Sequence, residues 1–264
     1  MDPTAFAPAL TSALTPATLA LAAGAGFLGG AMNALAGGGT FATLPALIAL
    51  GLPSTTANAT SNVALQPGAL SAAWGFRHDL EPLGGVSIRT LGAITFVGGL
   101  LGSLLLVATP THTFDLLIPW LLLVAFLAIA FGKAAAGWLH ERVSIGTRTL
   151  MIAQALLGLY GGYFGGGVGI MTTATYGLLA NLPPHRLMAP RTLMLGIANT
   201  AAALIFITLG MVDWRWCVPM LIGAWIGGWA GARVGNRLPP VAIRWWTLAV
   251  TAATTTVFFV RAYG

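Results

Sequence analysis

Two short runs in this chain could hold an anion without any charged side chain. Gly37-Gly38-Gly39-Thr40 and Gly165-Gly166-Gly167-Val168-Gly169 stand about 130 residues apart, each inside a long apolar stretch. Each glycine destabilises a helix by about 1 kcal/mol relative to alanine, so three together break it. A break frees backbone N–H groups, and a half-helix starting after it turns its positive dipole end into the gap. Glycine also lets the backbone come close to a ligand. Thr40 and Thr43 follow the first break, and Thr172, Thr173 and Thr175 follow the second, adding hydroxyl donors that suit sulfonate or carboxylate oxygens.

A second polar group lies just after the Gly51-Leu52-Pro53 turn, where Asn58, Thr60, Ser61 and Asn62 put four polar side chains into five positions. A helix cap needs one such residue, so Asn58, Thr60 and Asn62 are candidates to face a substrate. Arg191 stands near the start of a later apolar segment. An ionisable group at membrane depth is a candidate for function, although a long arginine can also snorkel to the surface. Asn33, Gln154 and Asn199 are single amides in apolar segments, explained equally by interhelical hydrogen bonds or a substrate. Gly98xxxGly102 and Gly227xxxGly231 have the small-residue spacing of helix contacts and are expected to do only that.

Catalytic chemistry finds little support. The six acids, Asp2, Asp79, Glu81, Asp115, Glu141 and Asp213, all lie in or beside the gaps between apolar runs. No Gly-x-Ser-x-Gly elbow occurs, and the first glycine run lacks the lysine of a phosphate-binding loop. His78, His112, His140 and His185 sit at segment ends and are not expected to converge on a metal. One cysteine, Cys217, excludes an internal disulfide. No enzyme, cofactor or metal is therefore expected.

The elements that must position these residues are membrane helices. Of 264 residues 57% are hydrophobic and 7% charged, against about 25% charged in soluble domains, and mean hydropathy is +0.85. Apolar segments run roughly 19–50, 55–76, 86–108, 114–136, 150–180, 190–210, 216–236 and 243–261. The net charge of +6 comes from arginines scattered singly at segment ends, which argues against nucleic acid. Trp74, Trp138, Trp214, Trp216, Trp245 and Trp246 near segment ends read as an interfacial belt.

A shift of 130 superposes Leu52-Pro53 on Leu182-Pro183, Ala59 on Ala189, and Gly37 and Gly39 on Gly167 and Gly169. A single 1–264 domain is expected, built from a repeat of about 19–137 and another of about 150–262. If the two broken segments are re-entrant, each repeat keeps three true spans, the halves are inverted, and every strongly positive loop falls on the cytoplasmic side. The expected fold is all-α, a polytopic integral membrane protein of two inverted repeats. The termini and His112 are then outside.

The stretch from Gly29 through Asn33 and Gly37-Gly38-Gly39 to Thr40, the Gly51-Leu52-Pro53 and Ala57-Asn58-Ala59-Thr60-Ser61-Asn62 segment, and Gly161-Gly162-Tyr163-Phe164-Gly165-Gly166-Gly167-Val168-Gly169 together resemble the TauE/SafE family of sulfite and sulfonate exporters. The resemblance covers both halves. It implies a multi-pass carrier of the bacterial inner membrane for sulfur-containing or carboxylated anions, and it adds Tyr163 to the site candidates. The candidate substrate-binding set is Asn33, Gly37, Gly38, Gly39, Thr40, Asn58, Thr60, Asn62, Tyr163, Gly165, Gly166, Gly167, Gly169 and Arg191. Partners expected are a small anion and the lipid bilayer; oligomeric state is open, a homo-oligomer included. Matched broken segments favour alternating access over a channel or a non-transport membrane protein.

Overall fold

The computed structural model describes residues 14–75, 77–140, 146–180, 184–235 and 239–264. Among these the chain forms ten α-helices: α1 Pro16–Leu35, α2 Thr40–Ala49, α3 Ser54–Gly75, α4 Ile88–Ala108, α5 Thr111–His140, α6 Thr147–Tyr163, α7 Val168–Ala180, α8 Pro184–Thr208, α9 Trp214–Gly235 and α10 Pro240–Tyr263. The two longest apolar stretches are each split at their glycines, into α1 and α2 and into α6 and α7. The boundaries of the remaining segments hold to within a few residues, except that the fourth grows to a 30-residue helix and the sixth begins at Pro184 instead of 190.

Among the described residues five helices are long and apolar enough to cross a membrane: Pro16–Leu35, Ile88–Ala108, Thr111–Gly132, Arg186–Thr208 and Val241–Tyr263. Two of the six expected spans, α3 and α9, fall outside this set although each has 22 residues. The physical reason is plain for α3. Asn58, Thr60, Ser61, Asn62 and Gln66 lower its hydropathy, and all five are buried inside the protein. It packs against α2, α5, α8 and α9.

Neither broken segment continues straight on. A Cβ built on Gly29 of α1 would lie 2.6 Å from Thr43 and 2.9 Å from the Gly39 carbonyl, so α2 doubles back along α1. In the second half Gly161 of α6 faces Val168 at 3.3 Å, and α7 doubles back along α6. At 1.5 Å per residue α2 is about 15 Å long, about half a bilayer's apolar thickness.

The small-residue spacings do the packing expected of them. Gly98 and Gly102 of α4 lie on the α6 backbone at Ala155, Leu159 and Tyr163, and Gly227 and Gly231 of α9 lie on α1 at Phe27 and Ala31. In both pairs contact positions advance together, so the helices run parallel. Packing partners exchange between the halves: α1 meets α9 and α6 meets α4, α5 meets α7 and α10 meets α2, while α3 crosses α8 and α5 crosses α10.

Pro45 illustrates how the interior is kept satisfied. Proline within a helix leaves the carbonyl four residues back without its N–H, and Thr254 of α10 donates to that carbonyl, Phe41 O, at 3.3 Å. The tryptophan belt needs one correction. Trp74, Trp214, Trp245 and Trp246 are exposed, but Trp216 is only 1% exposed and belongs to the core. Two residues apart on a helix, Trp214 and Trp216 face opposite sides. Trp138 lies outside the described side chains.

Candidate functional site

The two breaks meet in the middle of the molecule. A Cβ on Gly37 would sit 2.7 Å from the Gly169 Cα, and one on Gly169 would sit 2.9 Å from the Gly37 Cα. No side chain fits between them. Gly37, Gly165 and Gly167 adopt φ of +83°, +74° and +76°, a left-handed conformation that costs other residues about 1–2 kcal/mol. This is the chemical need for glycine at those three places.

Beyond the turns, α2 and α7 begin. The first helical donor of α2 is Phe41 N–H to Gly38 O, and that of α7 is Ile170 N–H to Gly167 O. The amides ahead of them, at Gly38, Gly39 and Thr40 and at Gly166 to Gly169, are the free donors of two helix N-termini. The Phe41 ring lies between the breaks, 2.8 Å from a Cβ on Gly38 and 3.0 Å from one on Gly167. The space is thus closed by a buried aromatic side chain.

Polar side chains reach this region from α3 and α8. The Thr43 and Ser61 hydroxyls are 2.5 Å apart. Asn58 Nδ2 donates to Tyr163 O at 3.1 Å, and Asn62 Nδ2 to Asn199 Oδ1 at 3.3 Å. Asn58, Asn62, Tyr163 and Gly165 therefore come together, with Asn199, at the end of α6. Tyr163 contributes its carbonyl there. Its ring packs edge-on against Phe114, and its hydroxyl reaches Thr109 at 3.4 Å. Asn33 is half-buried near the end of α1, its carbonyl accepting Gly37 N–H at 2.9 Å. Gly166 is packed against the Phe164 ring.

Among the described residues, two candidates have no hydrogen bond to either break. Thr60 is fully buried, but its hydroxyl accepts the Asp213 N–H at 3.0 Å, tying α3 to the loop between α8 and α9. Arg215, in the first turn of α9, pairs with Asp213 at 2.6 Å, and its hydrogen bonds hold the Asp213 carboxyl below the usual carboxylate range. Arg191 lies about 10 Å along α8 from its start. It is only 5% exposed, its Nε has no hydrogen-bond partner, and neither ion pair among the described residues involves it. Its guanidinium is packed inside the protein rather than extended to the surface.

Four contributors were not singled out from sequence. Gln66 donates from Nε2 to Gly196 O at 3.2 Å and to Thr200 at 2.5 Å, tying α3 to α8 at their crossing. Tyr160 places its hydroxyl 2.9 Å from Gly166 O and 3.0 Å from Leu121 O, holding the second break. Phe41 and Thr254 complete the set. The signal for Gln66 was its place beside Pro67-Gly68, a polar residue and two helix breakers in one span. Gln154, by contrast, is structural: it bonds Thr95 at 2.6 Å and Tyr176 at 2.6 Å.

The profile of the sulfite exporter TauE/SafE family matches residues 22–258. A "probable membrane transporter protein" of Haemophilus influenzae is 32% identical over 215 residues, 79% of this chain and 82% of that one. YfcA of Escherichia coli K12, named the same way, is 29% identical across 80% of this chain and 77% of its own. A Sinorhizobium relative, ORF9, is 29% identical across 81% and 80%. No solved structure matches. The apolar helices and the profile match over most of the chain lead to one assignment: this is an integral, multi-pass membrane protein of the TauE/SafE transporter family.

Proposed function

We propose that the chain is a secondary carrier for small anions, with sulfite, organosulfonates and related carboxylates as the substrate class. The observation that carries this reading is the meeting of the two glycine breaks, Gly37 on Gly169. Two helix N-termini face that point, each worth about half an elementary charge in the dipole picture. Together they offset roughly one negative charge. Gly38, Gly39, Thr40, Gly166 and Gly167 supply the amides and hydroxyl, and Arg191 supplies a countercharge. A guanidinium buried without a carboxylate is costly, and an anionic substrate would relieve that cost.

The carrier works by alternating access between two inverted halves. The exchanged packing partners of α1, α4, α5 and α2 with α9, α6, α7 and α10 support this arrangement, which is a common architecture of secondary transporters. Phe41, closing the space between the breaks, favours a carrier over an open channel.

Counterflow in proteoliposomes tests the proposal. Vesicles loaded with unlabelled sulfite or sulfoacetate should accelerate saturable uptake of the labelled anion, and the amide or ester analogue should neither load nor compete. Uptake that fails to saturate and shows no acceleration by internal anion would identify a channel. Equal uptake of the neutral analogue would sink the anion site.

A further inference from the structure

We infer that the end of the molecule where α5 begins and α10 finishes holds a binding site for a phospholipid headgroup of the phosphoethanolamine class, a phosphate joined to a primary ammonium. Its charged residues, His112, Asp115 and Arg261, take no part in the anion site, so the inference stands apart from the carrier reading.

α5 and α10 pack on each other, and both are long and apolar enough to cross a membrane, over Thr111–Gly132 and Val241–Tyr263. Where such helices end, the apolar layer gives way to lipid headgroups. A cavity of about 190 Å³ lies there, lined by His112, Asp115 and Leu116 of α5 and by Phe258, Arg261 and Ala262 of α10. A single water needs only about 10–15 Å³, so there is room for a polyatomic group.

Opposite charges line this cavity without pairing. The ion pairs among the described residues are Arg186 with Glu81 and Arg215 with Asp213, which leaves Asp115 and Arg261 out. Other arginines are engaged: Arg77 donates to Trp74 O, Arg244 donates to Ala130 O, and Arg233 stacks over the Trp229 ring at 3.6 Å. A ligand carrying both signs satisfies the two cavity charges together. Its phosphate oxygens accept from the Arg261 guanidinium and the His112 ring, and its ammonium donates to the Asp115 carboxylate. The helix ends favour the same ligand. Phe114 N–H makes the first helical bond of α5, to Pro110 O, so the amides before it are free donors at a positive helix end. α10 brings its negative end. A simple anion would meet Asp115 there, and a simple cation would meet Arg261.

The surroundings are those of a lipid rather than a free solute. Trp120 Nε1 donates to the Tyr263 hydroxyl at 3.0 Å, and that hydroxyl donates to Leu116 O at 2.9 Å. Phe259 packs against both rings. The cluster pins the end of α10 to α5 and fixes the cavity wall at Leu116, and tryptophan and tyrosine are the residues of the membrane interface. Leu117, Trp120, Val257 and Val260 are exposed on the same two helices, an apolar track for acyl chains. The site has no twin. Under the shift of 130, His112, Asp115 and Arg261 fall on Ala242, Trp245 and Phe131, so one lipid per chain is expected.

Thermal unfolding of the purified protein, in detergent doped with rising mole fractions of one lipid, reads the site without any transport. Phosphatidylethanolamine should raise the unfolding temperature saturably. Phosphatidylcholine has no N–H for Asp115 and phosphatidylglycerol has no cation, so each should need roughly tenfold more, the loss of one hydrogen bond to a charged group. Asp115→Asn should erase the preference for phosphatidylethanolamine over phosphatidylglycerol, and Arg261→Gln should weaken the response to all three lipids roughly tenfold. Asp115 is partly exposed and Arg261 exposed, so both variants should fold. Native mass spectrometry is the second readout: one phosphatidylethanolamine should stay on the natural chain and none on Arg261→Gln. An equal response to the three lipids, or a preference unchanged in both variants, would overturn the site. Soluble phosphoethanolamine stabilising the protein as well as the lipid does would overturn the lipid as its occupant.

Discussion

At the first break Gly37 alone takes a left-handed φ, and the turn is closed by contact: a Cβ on Gly39 would lie 2.5 Å from the Gly29 carbonyl and 3.0 Å from Leu65. At the second, Gly165 and Gly167 both take left-handed φ, and polar side chains grip the loop, Tyr160 at Gly166 O and Asn58 at Tyr163 O. Both solve the same difficulty, since a loop in an apolar interior must have its backbone satisfied by protein. The first relies mainly on closeness, with one hydroxyl, Thr43 donating to Gly39 O at 3.3 Å, and the second on two side-chain donors. Steric changes should therefore damage either break, and losses of a hydroxyl should damage chiefly the second.

The largest expected effect comes from Gly37→Val. Overpacking against Gly169 and the left-handed backbone together cost about 2–5 kcal/mol, so both membrane yield and uptake should collapse. Gly38→Leu separates the two readouts, because its near neighbours are side chains, Phe41 and Ile170, rather than the facing backbone. That variant should accumulate as a monodisperse protein and lose uptake.

Arg191→Gln comes next. A hydrogen bond to a charged group contributes about 1.5–3 kcal/mol, so anion affinity should fall more than tenfold while yield holds. Unchanged affinity, measured by competition in vesicles, would assign Arg191 to structure alone.

Tyr160→Phe removes a net hydrogen bond of about 1 kcal/mol from the second break, and should lower thermal stability and slow uptake. Thr43→Val at the first break should cost less if contact rather than hydrogen bonding holds that turn; an equal loss would erase the distinction. The smallest effect is Thr254→Val, about 0.6 kcal/mol for an interhelical bond in a membrane protein. In a Pro45→Ala background Phe41 O regains a helical partner, and the Thr254 substitution should become neutral.

Much of this architecture was legible because glycine and apolar runs leave strong marks. Gly37-Gly38-Gly39 and Gly165-Gly166-Gly167 located both breaks, and Gly98, Gly102, Gly227 and Gly231 located two parallel helix contacts. What stayed hidden depends on which way a side chain turns. Phe41 reads as one more apolar residue until its ring is found between the breaks. Thr60 and Asn58 look alike in sequence, two residues apart, yet one holds an outer loop and the other the end of α6. Tyr160 and Thr254 act through carbonyls far along the chain, at Leu121 and Phe41, which no local spacing reveals. The offset of 130 suggested two inverted halves, but which helices pack together, and the directions of α1 with α9 and α4 with α6, needed contacts.

Equilibrium binding of a labelled sulfonate to purified protein, compared between the natural chain and Gly38→Leu, tests the convergent-break site most directly. The account predicts saturable binding to the natural chain, displaced by sulfite or a carboxylate but not by the neutral amide, and its loss in a Gly38→Leu protein that remains monodisperse. Undiminished binding in Gly38→Leu, or displacement by the amide as effective as by the anion, would contradict it.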